Sequence, residues 1–135
     1  LPNDSKYDLL KAYTWAMGGY FQGGTTPEER ERAHNTFEMI KASSPQNEVV
    51  MYMALENRAG NAAAKNALAK LPQDSALTWY FKATLSAREG EIEFMNTVTA
   101  LSECFKRDKS FVATAQNDGE FSEDIVQAAM DMSNL

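Results

Sequence analysis

The segment LPQDSALTWYFKATLSAREG, residues 71–90, carries all the signals that begin and end one helix. Pro72 cannot continue a preceding helix, and Ser75 is a residue type that caps the start of the next one. Apolar residues then recur at helical spacing until Gly90, which is a common helix stop. The segment therefore predicts a helix over about 75–89, bounded on both sides.

The proline mark that opens this segment occurs three times in the chain. LPNDS at 1–5 and SPQNE at 44–48 repeat the order of LPQDS at 71–75, with a proline followed by polar residues that include Asp or Asn. Because each mark ends one helix and caps another, three marks in 135 residues predict repeated helical units. Strand-like alternation over two residues is scarce.

The remaining helices follow from the same signals. They are predicted at about 5–22, 26–42, 47–59, 61–71 and 92–107, with a short turn or helix at about 110–117 and a last helix from Ser122. Gly60 is expected to end the helix over 47–59. Phe121 and Val126 have the spacing of a hydrophobic staple across the last cap. The buried face of that helix is predicted to contain Ile125, Val126, Ala129 and Met130.

Composition limits the class of protein. The chain is 44% hydrophobic and 24% charged, as in a globular domain, and no apolar run approaches the ~18 residues that span a bilayer. The net charge of −6 argues against nucleic-acid binding, which needs a basic surface. A single cysteine excludes an internal disulfide and leaves the compartment undecided. The chain begins with Leu1 inside a helix-stop mark, so we expect it to be a fragment.

The helix pairs resemble tetratricopeptide repeats, whose pattern is W-x2-L-G-x2-Y, then A-x3-F, then P, over about 34 residues. The first-helix positions are occupied by Trp15 and Gly19, by Val49 and Met53, and by Trp79 and Ala83. The second-helix positions are occupied by Ala33, Phe37, Ile40 and Pro45, by Gly60, Ala64, Ala67 and Pro72, and by Thr97, Leu101, Cys104 and Lys109. In the middle unit the small position falls on Gly60, in the predicted turn.

The resemblance implies an all-α fold, a right-handed α-solenoid of about three helix hairpins with a C-terminal capping helix. The units are expected at about 5–43, 46–71 and 74–108, with the cap at 110–135, in one domain over 1–135. Trp15 and Trp79 would then take equivalent interior places in successive layers. Another array of helical hairpins, or an irregular bundle, is the alternative.

Residues that often carry chemistry have ordinary structural interpretations here. His34 is the only histidine and lacks the partners of a metal site, and Cys104 occupies a small core position. Most of the seven methionines occupy positions that the repeat pattern assigns to the core. PEERER at 27–32 is interpreted as a solvated helix start. NDGEFSED at 117–124 is interpreted as a turn and helix cap, since it lacks the ligand pattern of a calcium loop.

A binding surface is therefore the main functional prediction. In the resembling family the first helix of each unit lines a concave groove for peptides or proteins. The candidate partner-binding residues are Tyr13, Tyr20, Asn47, Asn57, Arg58, Tyr80, Thr84 and Arg88. Arg58 and Arg88 each precede a glycine by two residues, so in a stacked array we expect them to lie side by side and, with Asn57, to receive a carboxylate or another anionic group. Arginines that only satisfy helix C-termini are the alternative.

We expect a non-catalytic module for protein–protein interaction that binds an unidentified protein or peptide and uses no cofactor or metal. The family's Lys/Asn clamp for peptide ends is absent, because Val50 and Ala54 stand in its place. The alternative is a helical accessory or regulatory domain packed against another domain of a larger protein. An enzyme on a helical scaffold is a third hypothesis, which would require a pocket holding His34 with carboxylates.

Overall fold

The computed structural model describes residues 44–135 and, before them, residues 27, 28, 35, 38, 39 and 42. These earlier residues are all helical, in agreement with the segment predicted over 26–42. The helices of residues 44–135 are α1 (Pro45–Ala54), α2 (Arg58–Leu68), α3 (Ala76–Ala87), α4 (Phe94–Arg107), α5 (Phe111–Gln116) and α6 (Glu123–Met132). A 3₁₀ turn over Glu91–Glu93 precedes α4. No strand occurs in the described residues, so the all-α prediction is confirmed for them.

The chain divides into two compact units, Leu1–Lys70 and Leu71–Leu135. Helices α1 and α2 belong to the first unit, and α3 to α6 belong to the second. Among the helices of the described residues, none has both the length and the apolar character needed to cross a membrane.

Helices α1 and α2 form a hairpin. Ser44 Oγ accepts a hydrogen bond from the backbone N–H of Asn47 at 3.1 Å, so the second proline mark caps a helix as predicted. Pro45 lies in the first turn, where its missing N–H would have had no helical partner. The Glu48 carboxylate lies 3.2 Å from Lys70 Nζ and links the start of α1 to the chain just after α2.

The boundary between α1 and α2 differs from the prediction. Helix α1 ends at Ala54 rather than near residue 59, and Glu56 adopts the left-handed region with φ of 50°. Asn57 then caps α2, since its Oδ1 accepts the Gly60 N–H at 2.7 Å. Gly60 therefore lies inside the first turn of α2, and its predicted role as a helix stop is wrong.

Close packing explains why residue 60 is a glycine. A Cβ atom there would lie 2.5 Å from the Tyr52 carbonyl oxygen and 2.8 Å from Leu55 Cβ. Backbone of one helix occupies the space that any side chain would need, so only glycine fits. The small residue marks a helix crossing, although the sequence pattern alone also fits a helix end.

Helices α3 and α4 form the second hairpin. Ser75 Oγ accepts the Thr78 N–H at 3.1 Å, as the third proline mark predicts. Gly90, with φ of 94°, follows the end of α3 and confirms the predicted stop. Near this turn Thr97 Oγ1 lies 2.8 Å from Ser86 Oγ, which joins the two helices where the hairpin closes.

The C-terminal helices cover the second hairpin. Helix α6 packs against α4 and α5, and Ser122 Oγ accepts the Ile125 N–H at 3.3 Å, as predicted for this cap. Phe121 and Val126, the predicted staple, are both buried, with Phe105 of α4 in the same core. The predicted inner face of α6 is confirmed, with Val126 and Ala129 buried and Ile125 and Met130 partly buried.

The core predictions hold in part. Thr97, Leu101 and Cys104 are fully buried, as the repeat spacing predicts. Met51 and Met53 are buried in α1, but the assignment of most methionines to the core is wrong for the exposed Met39, Met95 and Met132. Trp79 is partly buried against the core of the second unit. Trp15 and Met17 lie outside the described residues.

Candidate functional site

Tyr80 and Thr84, which were predicted to line a binding groove, are buried in the second hairpin. Tyr80 is 5% exposed and Thr84 is 3% exposed. The Tyr80 ring centroid lies 5.2 Å from that of Phe111 and 5.5 Å from that of Phe121, and the Thr84 hydroxyl donates to the Tyr80 carbonyl oxygen at 3.1 Å. The expectation that these two side chains face an open groove is wrong, because both are buried and the C-terminal segment packs on Tyr80.

The loop between α5 and α6 supplies polar contacts to the second hairpin. Tyr80 Oη donates to Asp118 Oδ2 at 2.6 Å. Arg88 donates to Glu120 Oε1 from Nε at 2.9 Å and from Nη2 at 2.6 Å. The Glu120 N–H in turn donates to Asp118 Oδ1 at 3.1 Å, which orders the two acidic residues together. The carboxylate that Arg88 binds thus belongs to the same chain, whereas the prediction concerned an anionic group of a partner.

The common helical position predicted for Arg58 and Arg88 is not found. Arg58 is the first residue of α2 and is exposed, whereas Arg88 follows the last residue of α3. The two therefore occupy opposite ends of their helices and have no common register. Asn57 uses its side-chain oxygen to cap α2. Asn47 is half-buried in the first turn of α1.

Two of the proposed contacts and one candidate for catalysis lie outside the described residues. These residues are Tyr13, Tyr20 and His34. In the first unit, Val50, which stands in place of the resembling family's clamp, is buried. The aromatic side chains that pack on Tyr80 are Phe111 and Phe121 of the same chain.

An exposed apolar surface lies instead at the turn between α3 and α4. Ile92 is 88% exposed, Met95 is 58% exposed and Phe94 is 36% exposed. We call these three residues the 92–95 patch. Ile92 and Met95 are three residues apart in the 3₁₀ turn and the first turn of α4, so they share one side of the helical segment. Clustered apolar exposure of this kind often marks an interaction site.

The patch has an acidic border. Residues 89–96, EGEIEFMN, contain three glutamates and no lysine or arginine. Glu91 is exposed, and the Glu93 carboxylate accepts a hydrogen bond from the neutral Asn96 amide. Both acidic residues also favour the start of α4, where the helix dipole is positive. This end of the hairpin is therefore apolar in its centre and negative at its edge.

The sequence itself indicates that Met95 is exposed, although most methionines were predicted to lie in the core. Met95 is four residues before Thr99 and eleven before Lys106, which are both exposed on α4. The buried face of the helix runs instead through Thr97, Leu101 and Cys104. Helical spacing therefore places Met95 on the polar side of α4.

Two residues with shifted pKa values, Glu103 and Arg107, belong to an exposed network at the C-terminal end of α4. The pKa of Glu103 is lowered, first by hydrogen bonding from Lys106 and then from Arg107. The pKa of Arg107 is raised, chiefly by its hydrogen bonds to Asp74. The guanidinium carbon of Arg107 also lies 5.3 Å from the Trp79 ring centroid. This arrangement connects α4 to the start of the hairpin and stabilises it.

The described residues contain no group of three His, Cys, Asp or Glu side chains that could hold a metal ion. Cys104 is fully buried, in agreement with its predicted place in the core. The candidate site that this part of the chain presents is therefore a surface.

Comparison of the chain with known protein families, with curated proteins and with solved structures finds no match in any of the three.

Proposed function

We propose that this chain is a non-catalytic protein-interaction module of tetratricopeptide-like helical hairpins, and that its second unit binds a polypeptide through the 92–95 patch. The observation that carries the proposal is the exposure of Ile92, at 88%, beside Met95 and Phe94. The same unit buries Phe105, Phe111 and other large apolar side chains in one core. An apolar patch at the tip of a well-packed hairpin is a natural contact for a partner.

The hairpin geometry supports the repeat part of the proposal. Gly60 packs against the Tyr52 carbonyl oxygen at the end of α1, and Ala64 and Ala67 follow it on the buried face of α2. Ala83 of α3 and Leu101 of α4 are fully buried in the second hairpin. These are the small and large positions that the family pattern places between paired helices. A right-handed stack of the hairpins is part of the proposal.

The patch has enough apolar surface to anchor a partner. Full burial of an Ile or Met side chain contributes about 1.5–3 kcal/mol. Micromolar binding requires roughly 8 kcal/mol. Two such anchors and the partly exposed Phe therefore reach micromolar affinity only with help from neighbouring contacts. The bound segment would also lose conformational entropy. A weak, reversible contact follows, as in transient interactions. Tyr13, Tyr20, Asn47 and Arg58 stay predictions for a second contact surface on the first unit.

A peptide-display experiment tests the proposal. A library of random peptides is selected on the wild-type chain, and the recovered peptides are measured against Ile92→Ser/Met95→Ser. We expect at least about a tenfold loss of affinity, since each Ser removes most of one apolar anchor and 1.4 kcal/mol is tenfold. The matched control is Met132→Ser/Leu135→Ser, which removes two exposed apolar side chains elsewhere in the same unit.

The control variant should bind the recovered peptides as the wild type does, and both variants should keep the wild-type unfolding midpoint. Recovery of no peptide, or of peptides that bind Ile92→Ser/Met95→Ser without loss, would contradict the proposed function.

A further inference from the structure

We infer that the partner segment at the 92–95 patch is cationic and apolar, with Lys or Arg residues beside apolar anchors at helical spacing. This inference rests on the proposed function and adds the chemistry of the partner. It starts from the border of the patch, where residues 89–96 carry three glutamates and no basic residue. Charge complementarity at the edge of an apolar contact selects partners and speeds their encounter.

Glu91 and Glu93 surround Ile92 in the chain, and Glu93 directly precedes Phe94. The one polar partner of the Glu93 carboxylate in this turn, the Asn96 amide, is neutral and leaves its negative charge in place. An apolar side chain of a partner that reaches Ile92 therefore meets a segment that carries one carboxylate on each side of Ile92 in the chain. Basic residues beside that side chain would pair with these carboxylates, whereas acidic residues would be repelled.

The same charges argue against two other occupants. A second copy of the chain, docked through the same patch by two-fold symmetry, would bring Glu91 and Glu93 against their own copies. A membrane with anionic headgroups would repel the border in the same way. A polypeptide with positive charge is the occupant that the apolar centre and the negative edge both favour.

The spacing of the anchors indicates the form of the partner. Ile92 and Met95 lie on one side of a helical turn, where residues three apart are about 5–6 Å from each other. A helix that presents apolar residues three or four apart matches this separation, with its basic residues at the flanking positions. We therefore expect a short basic amphipathic segment rather than an extended acidic one.

Three synthetic peptides test this inference by fluorescence anisotropy. All carry the same stripe of Leu at positions i, i+3, i+4 and i+7, and the flanking positions are Lys, Glu or Gln. We expect the Lys peptide to bind about fivefold to tenfold more tightly than the Glu peptide, as for one or two exposed ion pairs. Because these charges are exposed, raising the salt concentration should reduce the difference.

The charge variant Glu91→Gln/Glu93→Gln should abolish the preference for the Lys peptide. Its matched control is Glu123→Gln/Asp124→Gln, which removes two exposed acidic residues from the first turn of α6. The control loses the same formal charge, and it loses two acidic groups from a helix start, but it leaves the patch border intact. It should keep the preference.

The outcomes separate this inference from the proposed function. Equal binding of the three peptides, lost in Ile92→Ser/Met95→Ser, would overturn the cationic partner and leave a protein-binding patch. Binding of none of them, or binding unaffected by Ile92→Ser/Met95→Ser, would overturn both. Self-association in sedimentation equilibrium that Ile92→Ser/Met95→Ser abolishes would identify a second copy as the occupant and overturn the inference. The inference would also be overturned if anionic and neutral vesicles recruited the wild-type chain equally and Ile92→Ser/Met95→Ser abolished that recruitment.

Discussion

The two hairpins of the described chain start from the same sequence signals and present different surfaces. In both, a serine of a proline mark caps the first helix, through Ser44 in α1 and Ser75 in α3. The second hairpin is followed by α5 and by the loop before α6, whose residues bury its Tyr80 and bind its Arg88. Local capping signals thus specify the paired helices, but the segment that follows decides which of their faces remains exposed.

The largest loss of stability is expected when the aromatic contact between the C-terminal segment and the second hairpin is removed. Phe121 is buried and packs edge-on against Tyr80, so we expect Phe121→Ala to lower the free energy of unfolding by about 3–5 kcal/mol. Phe94→Ala removes the same side chain from the exposed patch and should cost less than about 1 kcal/mol. Urea unfolding followed by circular dichroism measures both. Equal losses would show that the loop before α6 does not pack on Tyr80 of α3.

The first hairpin is most sensitive at its helix crossing. Gly60→Ala places a Cβ 2.5 Å from the Tyr52 carbonyl oxygen, so α1 and α2 must move apart. We expect a loss of about 1–3 kcal/mol, although helix propensity alone favours Ala by about 1 kcal/mol. Gly119→Ala is the control, because a Cβ there would meet no atom within 4 Å. A more stable Gly60→Ala protein would contradict the close crossing.

The polar contact between cap and second hairpin should have a smaller effect. Tyr80→Phe removes the 2.6 Å hydrogen bond to Asp118 and keeps the buried ring, so we expect a loss of about 1–2 kcal/mol. A double-mutant cycle with Asp118→Asn separates this contact from the hydrogen bond that Asp118 accepts from the Glu120 N–H. A coupling energy indistinguishable from zero would mean that the two side chains do not interact in solution.

The exposed network on α4 should have the smallest effect, visible only in its pH dependence. The pKa of Glu103 is lowered from its usual 4.5 in the folded chain, so its contribution to stability is present above that value. The contribution is lost as pH falls through the lower, folded-state pKa. Glu103→Gln should therefore be slightly less stable than the wild type at neutral pH, and the two should converge in acid. A difference that grows towards low pH would contradict this sign.

Helix positions were largely predictable because their signals are local. Ser75, Gly90 and Ser122 each act within one turn of their own position, and the structure places all three as predicted. Gly60 was misinterpreted because a glycine between two helical segments fits a helix stop as well as a close crossing. Only the packing of α1 beside α2 distinguishes these roles.

The candidate site was less predictable because exposure depends on the whole unit. Tyr80 and Arg88 have the residue types and register of a binding groove, and only the position of the loop over 117–121 shows that the chain itself contacts them. Met95 is one of the seven methionines of which most were predicted to lie in the core, although its spacing to Thr99 and Lys106 indicates the polar side of α4. On this helix, the position of a residue around the helix axis indicated its exposure better than its hydrophobicity did.

Hydroxyl-radical footprinting, read residue by residue in the native chain, tests the central claim that the C-terminal helices cover the second hairpin and leave the 92–95 patch exposed. After correction for intrinsic reactivity, we expect Phe94 to be oxidised faster than Phe121, and Met95 faster than the fully buried Met51. Tyr80 should be protected together with Phe121. Oxidation of Tyr80 and Phe121 at the rate of Phe94 would contradict the account.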